Sequence, residues 1–263
     1  MSFIDREVKF NNFNNDSKFK KTEFMVVSNG AHTIRVLQPT VKTVPTHFFK
    51  SNNVTVLCLE DECPVCANNK KLIMQFPDNF REQQGYNKVN WRFFINVLDK
   101  TPAKTCVKCG RENKDLRQTI CTCGEILPEA KPINKVKVLS KGLTLRDDLG
   151  SVEKAILDNT GTPIGLMNYD IVLMVTGAGT RDAKVTPVPR TEANEPIPEG
   201  LELFDLDKAT IVVNAEEMLD IQRGISLKDI FAARKNKAET FEPVASQAEI
   251  DDVNAAVDKL FKQ

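Results

Sequence analysis

Asn90-Trp91-Arg92-Phe93-Phe94-Ile95-Asn96-Val97-Leu98 carries the strongest strand signal in the 263-residue chain. Side chains on a strand alternate between two faces, so Trp91, Phe93, Ile95 and Val97 share one face while Arg92, Phe94 and Asn96 share the other. The first set reads as core, and the second mixes a cation, an aromatic ring and an amide as a binding surface would. Shorter runs of the same kind lie at residues 32–37, 54–58, 134–139 and 169–176. A glycine turn, Gly177-Ala178-Gly179, leads from the last of these towards residues 184–188 as a hairpin partner. Between them, residues 143–158 switch to a helical period that puts Leu145, Leu149, Val152 and Ile156 on one stripe. Several short strands around one helix predict a mainly β fold with some α, organised as a small, partly open OB-fold-like barrel.

The cysteines interrupt that pattern. Seven is an odd number, so a complete disulfide framework is excluded, and the clustering points to metal. Cys106-Val107-Lys108-Cys109-Gly110 and Cys121-Thr122-Cys123-Gly124 pair short thiolate arms with a following glycine, as in a zinc ribbon spanning residues 106–123. Cys58, Cys63 and Cys66 leave a tetrahedral site one ligand short. The chain has two histidines. His47 lies eleven residues before Cys58 and is the better fourth ligand; His32, inside a strand-like run, is the alternative. One site of His47, Cys58, Cys63 and Cys66 and one of Cys106, Cys109, Cys121 and Cys123 use every cysteine and predict two Zn²⁺ per chain. Neither pattern shows the open position and nearby carboxylate base of hydrolytic zinc, so a structural role is expected.

Lys/Arg and Asp/Glu number 36 each, but the balance hides a division. Residues 1–190 hold 28 cations and 20 anions; residues 191–263 hold 8 and 16. Seven metal-bound thiolates and two Zn²⁺ lower the formal +8 of the first part to about +5 and leave its sign intact. A basic body suggests a polyanionic ligand. Three parts are expected: a polar, basic arm over residues 1–28 with phenylalanines spaced through it, a body over residues 29–190 with zinc insertions at 47–66 and 106–123, and an acidic, partly helical region over residues 191–263. In that last region residues 215–222 and 227–237 read as helices. Ser246-Gln247-Ala248-Glu249 opens a further one, with Ile250, Val253, Val257, Leu260 and Phe261 on one face. No apolar run approaches the roughly 20 residues of a membrane helix, and the first residues lack the apolar core of a signal peptide, so a cytoplasmic protein with no membrane contact is expected.

A single strand of nucleic acid is held by cations that follow its phosphates and by rings on which its bases stack. Arg92, Phe94 and Trp91 on the decisive strand, Tyr86 and Lys88 just before it, Arg35, and Lys135 with Lys137 are the candidates. No Asp/Glu cluster has the spacing of a two-metal centre, and no glycine-rich loop ends in Lys-Ser/Thr, so no enzymatic activity is expected.

Asn29 to Pro39, His47 with Cys58 and the Cys63-Pro64-Val65-Cys66 pair, Phe93 to Leu98, and Lys135-Val136-Lys137-Val138 followed by a helix together resemble the single-stranded DNA-binding, helix-destabilising proteins of T-even and related tailed phages. The resemblance covers roughly residues 29–190. It implies an OB-fold whose zinc subdomain flanks a basic, aromatic cleft, with Phe94 stacking on bases and Arg35, Lys135 and Lys137 near phosphates. It further implies a protein that coats exposed single strands during replication, recombination and repair in the infected host cell. A basic N-terminal arm would support cooperative self-association, and the acidic C-terminal region would contact phage replication and recombination proteins. The chain departs from that pattern in its inserted second ribbon, in lacking a dense basic cluster in its arm, and in ending Leu260-Phe261-Lys262-Gln263. The alternative function is a zinc-ribbon transcription factor docking on RNA polymerase.

Overall fold

The strand around Phe93 is the spine of the structure. The computed structural model describes residues 22–161, 165–180, 183–190 and 197–240. The expected arm up to residue 21 and the expected helix after Ser246 lie outside them. β4 (Val89–Asp99) gives one edge to β8 (Lys135–Gly142), antiparallel from Arg92 to Asp99. Its other edge is shared end to end by β2 (Lys42–Phe49), opposite residues 89–94, and β1 (Gly30–Val36), opposite residues 97–99. β9 (Asp170–Thr176) and β10 (Lys184–Pro189) continue the sheet beyond β1 as the expected hairpin, and β3 (Val54–Leu57) continues it beyond β2.

These seven strands form one antiparallel sheet that does not close into the expected barrel. The outer edge of β8 is covered by the chain's own N-terminal segment, where Val138 N–H donates to Glu23 O (2.8 Å) and Met25 N–H to Val138 O (2.9 Å). The edge of β3 is covered by Ile211, whose carbonyl accepts from Leu57 N–H (2.9 Å). With these edges satisfied by flanking segments, closure strand to strand is not required.

One face of β4 builds the main core. Phe93, Ile95 and Val97 pack with Ile34, Val36, Leu139, Ile171 and Leu173, and α2 (Leu143–Thr160) buries Leu145, Leu149 and Ile156 against them. The stripe read from the sequence is thus the stripe the helix buries. Each such side chain contributes about 1.5–3 kcal/mol on removal from water. A second core joins Phe49, Val56, Cys58, Cys63 and Val65 to Val213, Met218, Ile221 and Ile230. It draws on α1 (Pro64–Gln75), α3 (Ala215–Gln222) and α4 (Leu227–Thr240). A capping box between Asn214 and Glu217 fixes the start of α3.

The acidic stretch 201–213 lies across the opposite face of β4. Phe204, Leu206, Ala209 and Val212 cover Val44, Leu57, Phe94 and Val138. Asn96 holds the segment by donating to Phe204 O (2.9 Å) and accepting from Phe204 N–H (3.1 Å), and buried Lys42 pairs with Asp207. The composition break near residue 190 therefore precedes residues that complete the body. A small separate sheet, β6 (Glu112–Asn113), β5 (Pro102–Thr105) and β7 (Lys131–Pro132), carries the second cysteine group. No helix among the described residues is long and apolar enough to cross a membrane.

Candidate metal centres and nucleic-acid interface

The fold brings the eight sequence-predicted ligands together as two groups, His47 with Cys58, Cys63 and Cys66, and Cys106 with Cys109, Cys121 and Cys123. Within each, the donor atoms lie within 4.8 Å of one another. Their separations test whether a metal fits. A tetrahedral zinc with Zn–S near 2.3 Å and Zn–N near 2.0 Å sets two sulfurs about 3.8 Å apart, and a sulfur and a nitrogen about 3.5 Å apart. His47 Nε2 is 3.3 Å from Cys63 Sγ and 3.5 Å from Cys66 Sγ, while Cys58 and Cys66 Sγ are 3.5 Å apart. In the ribbon, Cys106–Cys123 and Cys109–Cys121 are 3.5 and 3.6 Å apart. All are far longer than a disulfide and close to the edges of a zinc tetrahedron.

The local setting favours the donor form at His47 and Cys121 and opposes it at Cys58 and Cys66. Burial lowers the basicity of His47 against the opposing effect of Asn87, so the ring is neutral and offers Nε2. His32 is not part of the group; it sits on β1 with Nε2 2.8 Å from the Ser28 carbonyl. Burial pushes the Cys58 thiol up, so a thiolate there needs a cation beside it, which a metal ion supplies. In the ribbon the backbone N–H of Cys123 helps bring the Cys121 thiol down to about 6. Gly110 and Gly124 follow their cysteines at φ +69° and +88°, a conformation that side chains resist, and their N–H groups close each knuckle onto Cys106 O and Cys121 O.

The two groups differ in setting. Cys58 and Cys63 are part of the second hydrophobic core, whereas the ribbon has only Leu127 with Cys106 and Cys121 as its own core, and Cys109 and Cys123 are exposed. Salt bridges attach the ribbon to the body. Lys137 Nζ lies 3.1 Å from Asp99 and 3.1 Å from Glu112, and Lys135 lies 2.7 Å from Glu112. Lys114 bonds the Val26 carbonyl (3.2 Å).

That attachment separates the predicted nucleic-acid contacts. Lys137 is buried inside the ion cluster, and Lys135 is exposed but paired with Glu112. Arg35 is 2% exposed and bonded across strands to Asp170, its partner in the β1–β9 register. Neither Arg35 nor Lys137 therefore presents its charge at the surface. Tyr86 packs edge-on against Phe80, and its loop is held by Asn68 and Asn69 of α1. Trp91, 47% exposed, and Lys88 lie at the entry to β4, with Trp91 on the face opposite Arg92.

Arg92 and Phe94 do converge, in a cleft of about 380 Å³ between the start of β4, residues 53–55, Ser140 of β8 and residues 209–211, with Phe24 at its side. Phe94 is almost wholly covered and forms part of the wall, while Phe24 is exposed. Arg92 is half-buried with no carboxylate in ion-pair range among the described residues, so only desolvation acts on its guanidinium, lowering its pKa. The hydroxyls of Ser140 and Thr210, which also line the cleft, are buried without a hydrogen-bond partner. Those two oxygens have no exposed surface, so it is the unpaired cation of Arg92 that fits a ligand bringing an anion. Sequence reasoning missed Ser140 and Thr210. Phe24 was legible only as one of several phenylalanines at the end of the arm.

No protein-family model matches the chain, and no curated protein matches it.

Proposed function

We propose that this chain is a non-enzymatic single-stranded DNA-binding protein that coats and protects exposed strands in phage replication, recombination and repair, with two structural zinc ions. The observation that carries this reading is the cleft where Arg92, without a counter-ion among the described residues, meets Phe24 and Phe94. A phosphodiester satisfies the guanidinium, a base has room beside the rings, and neither contact selects a sequence. Lys88 extends the track at the entry to β4, and Trp91 offers a second exposed ring on the strand's other face. The sheet and α2 form an OB-like scaffold in this reading, opened because flanking segments occupy its edges.

The zinc ions act through shape. One holds β2 and β3 to α1 and so places residues 53–55 at the cleft; the other forms the ribbon. Working in the cytoplasm of the infected host, the protein would meet replication and recombination proteins through its acidic C-terminal region. The test is equilibrium binding of a labelled oligo-dT strand and of a mixed-sequence duplex across a salt series, for the parent and Arg92→Gln. Strand preference that is steeply salt-dependent and weakened in the variant supports the proposal. Preference for one duplex sequence would replace it with the polymerase-docking alternative.

A further inference from the structure

The ribbon contributes no residue to the lining of the Arg92 cleft and has an exposed surface of its own. Val107 (79% exposed), Ile126 (75%) and Ile120 stand out from it, with Ile120 and Ile126 side by side across an isolated bridge. Lys108, Arg111 and Lys131 surround the ribbon with no carboxylate partner among the described residues; Arg111 bonds only the Thr122 hydroxyl. Residues 100–135 carry eight cations and four carboxylates, and remain positive after the −2 of a Zn(Cys)₄ centre is included.

The complementary chemistry lies in the chain itself. Residues 241–263, beyond the described structure, carry five carboxylates and two lysines, with Ile250, Val253, Val257, Leu260 and Phe261 at helical spacing. We propose that the apolar, cation-rimmed tip of the ribbon receives the C-terminal segment of a second copy of this chain, joining copies head to tail.

Geometry favours a second copy over the same one. α4 leads into the segment and is anchored beside the histidine–cysteine group, where Ile230 packs with Cys63 and Met218. That group adjoins the Val89 end of β4, where His47 pairs with Val89, whereas the ribbon begins beyond Asp99 at its other end. The eleven residues of β4 span about 33 Å. The nine residues 241–249 that precede the apolar stripe reach at most ~31 Å fully extended, no more than the length of β4 itself. A donor at one end and an acceptor at the other make a heterologous interface, which propagates instead of closing.

Sedimentation velocity of the full-length, zinc-loaded chain without DNA tests this independently of the DNA-binding proposal. The parent should show a sedimentation coefficient that rises with concentration. Ile126→Asp and Leu260→Asp should each stay at the monomer value while retaining two zincs per chain. An equimolar mixture of the two variants should recover dimers and nothing larger, because one intact tip and one intact tail remain. A parent that stays monomeric at all concentrations, or variants that associate as the parent does, would overturn the proposal. So would a mixture that forms long arrays.

Discussion

Lys137 offers a sharp test, because sequence pattern and structure assign it different work. Its ammonium is buried and is shared by Asp99, which has no exposed surface, and by Glu112. Burial opposes charge on all three groups, yet hydrogen bonding prevails: Thr101 and Lys137 hold the Asp99 carboxyl below its ordinary value, Lys135 and Lys137 hold that of Glu112 below its own, and Glu112 and Asp99 hold the Lys137 ammonium above its own. Replacing Lys137 with Met removes the cation and leaves a buried carboxylate with the Thr101 N–H (3.0 Å) and, as its remaining cation, Lys114 at 3.9 Å. Breaking a buried pair in this way costs about 3–5 kcal/mol. At a urea slope near 3 kcal/mol/M, the unfolding midpoint should fall by roughly 1–1.7 M. Lys135→Met, which breaks a partly exposed pair with the same Glu112, should cost no more than about 1 kcal/mol. Adding Asp99→Asn to Lys137→Met should restore part of the loss by removing the stranded charge. Urea denaturation of the four proteins, followed by tryptophan fluorescence, measures all of this. A Lys137→Met midpoint equal to that of Lys135→Met, with a selective loss of strand affinity, would refute the ion-cluster account and return Lys137 to the DNA surface.

The same cluster sets a pH dependence: depressed carboxyls contribute stability above their ordinary values and lose it as pH falls through the depressed ones. The gap in melting temperature between parent and Lys137→Met should therefore be full at pH 7 and close below about pH 4. Elemental analysis should find two zincs per chain, falling to one in Cys63→Ser and in Cys123→Ser. Only Cys63→Ser should lower global stability, because Cys63 alone of the two belongs to a large core. Phe94→Ala should cost about 3–5 kcal/mol of stability, whereas Trp91→Ala should leave the melting temperature within a degree or two and change only strand binding.

Much of the fold was legible where pattern is local. The alternation at 90–98, the stripe of α2 and the helices at 215–222 and 227–237 each appear in place, since a period of two or of 3.6 reports which side faces a core. The two groups of candidate ligands, eight cysteines and histidines in all, were legible because counting and spacing constrain a tetrahedral site. β2 was not, because Pro45 argues against an interior strand; here it lies opposite Trp91 and its carbonyl accepts from Cys58 N–H. The fate of the cations was also hidden. Arg35 and Lys137 alternate like surface residues, but Asp170 and Asp99 reach them from 135 and 38 residues away. Residues 201–213 read as acidic tail by composition, although Leu206, Ala209, Ile211 and Val213 are apolar and pack on the body.

Fluorescence anisotropy of a labelled oligo-dT strand, titrated with the parent and with Arg92→Gln between 50 and 300 mM salt, tests the central claim most directly. The account predicts tight binding of the parent, weaker binding to duplex, and a variant of unchanged melting temperature that binds about tenfold less tightly with a log–log salt slope lower by about one. Equal binding by parent and variant, or a duplex preference in both, would contradict it.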